Sequence, residues 1–203
     1  IAHDNIRRRM TTKQVNKFRN DTTPPYAKDA LPVLTFNDRI SLHLNVESVT
    51  AYYVANWHTD GDSIIHFPEC NVIHMGDMYF NGLYPNVDLD AGGSMQGMVD
   101  AADLALSMAD DATRIIPGHG PLAMTEDLKS YRDFLVRAGA NVQELIDQGM
   151  NLQQVIAAKP TSEWDEELGK TCITPAQFVT FIYNSHQGIQ EYTPPPKVEA
   201  EED

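Results

Sequence analysis

Thr113-Arg114-Ile115-Ile116-Pro117-Gly118-His119-Gly120-Pro121 is the stretch whose reading decides the fold. It opens as a β-branched apolar run and stops at an imidazole between two glycines, the pattern of a strand ending in a roomy loop. Upstream, Ser63 to Phe67 and Asn71 to His74 read as two more strands, parted by a turn at Phe67-Pro68-Glu69-Cys70. The second strand runs into Met75-Gly76-Asp77 and delivers a carboxylate just past a glycine. Earlier still, Val33 to Phe36, Ile40 to Leu44 and Ser48 to Val54 read as strands, with a turn at Asn37-Asp38. They lead to Trp57-His58-Thr59-Asp60-Gly61-Asp62, a strand end breaking into a glycine turn.

Helical periods take over after Asp77. Ser94 is placed to cap a helix whose apolar positions are Met95, Val99, Ala102 and Leu106. Thr125 is placed to cap a longer one, with Leu128, Tyr131, Leu135, Ala138, Val142 and Leu145 on one face and Gly149 as its stop. Asn151 and Thr174-Pro175 mark two further starts, the second with Gln177 at the capping-box position. A short helix near residues 4–10 precedes a loop through Thr22-Thr23-Pro24-Pro25. The order β-meander, βα unit, helices implies an α/β fold: a mixed sheet with helices on one face. Its other face needs a cover, and nothing in the sequence supplies one.

The 203 residues carry 42% apolar and 22% charged side chains, ordinary values for a chain that buries a core. No apolar run approaches the ~20 residues of a membrane-spanning helix. The net charge of −14 and pI near 4.7 argue against nucleic acid and anionic membranes as partners. Part of that charge is local: residues 1–190 read as the folded part, and 191–203, after Thr193-Pro194-Pro195-Pro196, as an acidic solvated tail. Cys70 and Cys172 are too few for a disulfide framework or a cysteine-based zinc site. The sequence opens Ile1-Ala2-His3 with no initiator methionine or signal peptide, and reads as starting part-way along a longer protein.

His58, Asp77 and His119 are the residues that carry chemistry. Each stands at a strand end in a loop with backbone freedom, where a site is assembled from distant parts of the chain. Imidazole and carboxylate donors together suit zinc, with iron and manganese next. Asp62, beside the first of them, and His74, three residues before Asp77, are candidates for supporting a ligand from behind. Tyr84 is a candidate substrate-orienting hydroxyl, against a plain reading as a loop anchor. His3, His43, His66 and His186 read as structural, Met95, Met98 and Met108 as core filler, and Trp57 as a packed aromatic.

The ordered set of these segments resembles the metallo-β-lactamase fold superfamily over about residues 1–190. Ala2-His3-Asp4-Asn5, Tyr84-Pro85-Asn86-Val87-Asp88 and Gly92-Gly93-Ser94 are similar to its cyclase or quinoprotein-relay-type hydrolase branch. The resemblance implies an αββα sandwich of which this chain is the C-terminal half. It implies that His58 binds one metal, His119 a second, and that Asp77 bridges them as the catalytic carboxylate. The family's H-x-H-x-D-H segment, which supplies the larger share of its metal ligands, is absent from these residues. With about three or four protein ligands needed per zinc, the chain alone is expected to bind zinc weakly or not at all and to be inactive.

In the intact protein the resemblance implies a dinuclear zinc hydrolase in which metal-bound hydroxide attacks an ester, thioester or lactone. An Asp at position 77 disfavours β-lactamase activity and leaves sulfur dioxygenase chemistry as a minor reading. The alternative is a non-catalytic half-domain that works through assembly. Either way an apolar sheet face has to be covered, by the N-terminal half or by a second copy in a homodimer that is swapped or not. A small-molecule substrate is expected, and a periplasmic or secreted location is slightly favoured by the branch that the chain resembles.

Overall fold

The protein is described by a computed structural model over residues 1–194. The chain enters through β1 (Ala2–His3), α1 (Asp4–Met10), a small hairpin of β2 (Gln14–Asn16) and β3 (Asp21–Thr23), and β4 (Thr35–Phe36), which pairs in parallel with β1. A meander follows: β5 (Arg39–Leu44), β6 (Glu47–Tyr53), β7 (Ser63–Phe67) and β8 (Val72–Phe80). Helix α2 (Met95–Met108) crosses back to β9 (Arg114–His119), which lies parallel to β8, and β10 (Ala123–Met124) closes the edge antiparallel to β9. The order β10-β9-β8-β7-β6-β5 makes one six-stranded mixed sheet. Helices α3 (Thr125–Asp147), α4 (Leu152–Ala158), α5 (Ser162–Leu168) and α6 (Pro175–His186) complete the described chain.

Side chains alternate across a strand, so the sheet has two distinct faces. Ile64, Ile73, Met75 and Ile115 are fully buried in one core with Met98, Ala102, Leu135, Phe178 and Phe181 from α2, α3 and α6. On the opposite face Ile40 pairs with Ala51, Leu42 with Val49, and Ala51 with Ile65. These apolar side chains are only half-buried and line a shallow cavity of about 160 Å³, with Ile1 and Phe36 at its margin. Helices therefore cover one face, as the order of elements required, and no layer among the described residues covers the other.

Local chemistry sets the helix starts. Asn151 and Gln154 exchange side-chain and backbone hydrogen bonds at the start of α4, and Thr174 and Gln177 do the same for α6. Ser94 accepts from the Gly97 amide at 2.9 Å and donates to the Asn56 carbonyl at 2.8 Å, which caps α2 and ties it to the loop after β6. Thr125 is not the cap of α3 but its first residue, because its hydroxyl donates instead to the Asp110 carbonyl at 2.6 Å. The orphan amide at the preceding Met124 is satisfied by Asp127 at 2.8 Å.

Several boundaries differ from the sequence reading: β4 begins at Thr35, not Val33, and β9 runs on through Pro117 and Gly118 to His119. Strand β8 does not stop at His74: Gly76, with φ of 55°, forms a bulge, and the strand resumes through the buried Tyr79 and Phe80. A glycine read as an end was a bend. Within the stretch expected to be tail, Tyr192 is buried against Phe18 and Phe181, and Lys17 pairs with Glu191 at 2.5 Å. Residues 195–203 of that tail lie outside the described residues. No described helix is long and apolar enough to cross a membrane.

A Cβ on Gly97 would run into the Asn56 carbonyl, 2.6 Å from its carbon. Gly-to-Ala in a helix normally adds about 1 kcal/mol of stability. Here the sign reverses: Gly97→Ala is expected to destabilise by about 1–3 kcal/mol through overpacking, read from urea unfolding midpoints.

Candidate metal centre

The end of β9 meets β8 at very short range. A Cβ on Gly118 would overlap the Asp77 carboxylate and stand 2.5 Å from the Gly76 carbonyl carbon and 2.7 Å from the Asp77 nitrogen. Only glycine lets the strands approach there. The approach brings His119 Nε2 to 3.4 Å from Asp77 Oδ1, with both side chains about half exposed. Phe80, three residues past Asp77, stacks on the His119 ring at 4.8 Å and 18°. The Asn81 amide donates to the His119 carbonyl at 2.9 Å, which holds the main chain of the loop.

His58 arrives from the other side. Its loop is sewn to residues 88–94: Asp88 N–H donates to the His58 carbonyl at 3.1 Å, Asp60 N–H to Ala91 at 2.9 Å, and Ser94 N–H to Trp57 at 2.9 Å. Asp62 folds back to accept from the Thr59 amide and from its hydroxyl at 2.9 Å, and stands 3.6 Å from His58 Nδ1. That nitrogen is buried and has no hydrogen-bond partner. Burial works against the imidazolium, but Asp62 first, then Asp77 and Asp88, outweigh it and hold the His58 pKa above its ordinary value. Burial likewise works to raise the Asp62 pKa, while His58 and the Thr59 bonds carry it below the usual carboxylate value. His58 lies 6.4 Å from Phe80, ring centre to ring centre, so Phe80 neighbours both imidazoles.

The N-terminal segment clamps this loop, a role that sequence reasoning missed. Arg9 donates to both Asp60 oxygens, at 2.6 and 2.9 Å, and Asn5 donates to the Asp60 carbonyl at 2.7 Å. Gly61 has no side chain because Ile6 fills that space. His3 accepts from the Asn5 amide at 3.2 Å and stacks on Tyr53 with ring centres 3.5 Å apart. The only available signal was Asp60 beside a glycine, which is equally a turn former.

Other expected residues fall elsewhere. His74 sits on the sheet face away from the helices, opposite Ile65, and makes no hydrogen bond to a candidate ligand among the described residues. Tyr84 is a loop anchor, not a substrate-orienting group. It is buried, its hydroxyl donates to Asp165 at 2.7 Å and to the Thr161 carbonyl at 3.2 Å, and its ring stacks on Phe178. His186 ends α6 with its Nε2 at 3.1 Å from the Gly139 carbonyl.

Whether these residues fit a metal divides into chemistry and number. Two imidazoles and a half-exposed carboxylate are the right donors for a borderline cation. Yet among the described residues no three His, Cys, Asp or Glu side chains stand close enough together to hold an ion. The donors fit; the set is incomplete.

No family model matches the sequence, and no curated protein does. Solved structures do match. The stereoselective inverting sec-alkylsulfatase Pisa1 from Pseudomonas sp. aligns with a TM-score of 0.62 at 16% identity, over 82% of this chain and 28% of its own. The B3 metallo-β-lactamase BLEG-1 aligns with a TM-score of 0.53 at 17% identity, over 66% of this chain and 63% of its own. The chain therefore has a metallo-β-lactamase-type fold in part, and it spans 28% of the length of the alkylsulfatase.

Arg9→Ala removes two charge-assisted bonds from the turn that carries His58. The expected cost is about 1–3 kcal/mol in urea unfolding, with faster hydrogen exchange at the Asp60 amide. Arg9→Lys is expected to recover only part of it, because an ammonium cannot grip both oxygens in the fork geometry.

Proposed function

We propose that this chain is the part of a metal-dependent hydrolase that supplies His58, Asp77 and His119 to a dinuclear zinc centre. The remaining ligands would come from an H-x-H-x-D-H segment outside these residues. The observation that carries the reading is the Asp77–His119 pair at 3.4 Å, built by a glycine contact that a simple strand pair does not need. Bound there, the metals would supply a Lewis acid and a water acidified into the neutral range.

The protein's own residues do the rest. Asp62 stands behind His58 Nδ1 and keeps that ring nitrogen turned inward, which leaves Nε2 for coordination. Phe80 fixes the plane of His119, and the Asn81 amide fixes its backbone. Asp77, with His119 at 3.4 Å, would supply the carboxylate that the metals share. An ester, thioester or lactone is the substrate class we assign. The apolar face around Ile40, Leu42 and Ile65 is where the completing half, or a second copy, would dock.

The test is zinc per chain after dialysis, by elemental mass spectrometry, on this chain and on the protein that also carries the completing segment. The chain alone is expected to keep almost none. The completed protein is expected to hold two, and to lose about 10–100-fold in zinc affinity with Asp62→Ala, behind the ligand. Tightly held zinc on the chain alone would overturn the split centre, and a completed protein without zinc would overturn the hydrolase reading. In the second case the uncovered face would favour the non-catalytic half-domain.

A further inference from the structure

Beyond Phe80 the chain turns through Asn81-Gly82-Leu83, and side chains of α3 and α5 flank the turn to form a half-open groove. Between them lies a cavity of about 310 Å³, some ten times the ~30 Å³ share of a liquid water molecule. Four aromatic rings help to wall it: Phe80, Tyr131, Phe134 and Trp164. Tyr131 is only 7% exposed, with its hydroxyl sealed from solvent beside the Phe80 backbone. Two carboxylates, Asp127 and Glu167, also line the space.

Neither carboxylate pairs with a cation among the described residues. Nearby positive charges are spent elsewhere: Lys129 on Glu126 at 3.3 Å, and Arg137 on Glu163 at 2.8 Å with its guanidinium 5.2 Å from the centre of the Trp164 ring. Asp127 accepts from the Met124 amide through Oδ2, and no bond is made by its other oxygen. An anion would meet two carboxylates on a chain of net charge −14. Both carboxylates stand exposed at the rim, where a cation gains their attraction and a neutral molecule does not.

We propose that this cavity binds a small organic cation with an aromatic body. Its ammonium faces Asp127 and Glu167, and its body lies among the rings of Phe80, Phe134 and Trp164, which also favour a cation electrostatically. Phe80 is a shared wall: one face meets His119, and the ring also bounds the cavity. An occupant therefore touches the ring that orients His119. The site stands without any metal; if the hydrolase reading holds, it receives the amine-bearing part of the substrate.

The experiment uses the 203-residue chain without metal. Benzylammonium, benzyl alcohol and benzoate are titrated in turn and followed by amide NMR shifts. Saturable shifts with benzylammonium are expected at residues 80–83, 127–134 and 164–168, with weaker binding of benzyl alcohol and none of benzoate. Glu167→Gln is expected to weaken benzylammonium about two- to fivefold, the range for a partly exposed ion pair, and to leave benzyl alcohol unchanged. Equal binding of all three probes, shifts outside these segments, or no saturable binding would overturn the proposal. A matching thermal midpoint for Glu167→Gln confirms that the fold is kept. Zinc content does not enter the readout, so failure here and failure of the hydrolase reading are told apart.

Discussion

One absent side chain governs the middle of this molecule. Because Gly118 carries no Cβ, the end of β9 lies directly on the Gly76–Asp77 peptide. A methyl group at that position would push the strands apart, and rigid backbone on both sides could not yield cheaply. From this contact follow the 3.4 Å approach of His119 to Asp77, the stacking of Phe80 on the imidazole, and the turn at Asn81 that bounds the aromatic cavity. The bulge at Gly76 serves the same geometry, since it re-aims β8 after the parallel register with β9 begins to slip.

The His58 loop is held differently, by polar contacts instead of a strand register. Its carbonyl and its neighbours bond to residues 88–94, and Arg9 and Asn5 close on Asp60 from the N-terminal segment. Such a loop is only as rigid as these bonds. Arg9 beside Asp60 has its guanidinium pKa raised by that hydrogen bond, against the opposing pull of burial.

The two faces of the sheet divide the molecule's work. The helix face is packed and dry, while Ile40, Leu42, Val49, Ala51 and Ile65 stay half-exposed on the other. An apolar stripe of that kind marks an interaction surface more often than bare solvent. On the proposed reading, the incomplete ligand set and the uncovered face agree with one another, because both would be completed by further chain or a partner.

Much of this was legible in the residue order. Period-two runs marked β5 to β7 and β9, and Ser94, Asn151 and Thr174 marked three helix starts; of the three candidate donors read at strand ends, only His119 ends a strand, while Asp77 lies within β8 and His58 in the loop between β6 and β7. The runs and caps depend on neighbours along the chain, so the sequence by itself determined them, together with the fold class and the open face. The bulge in β8, the cap of α3, the anchoring of Tyr84, the packing of Tyr192 and the Arg9–Asp60 clamp were decided only by tertiary structure. Each depends on a partner distant in sequence, such as Asp165 for Tyr84 or Asp60 for Arg9, and a hydrogen bond across fifty or eighty residues leaves no local period to read.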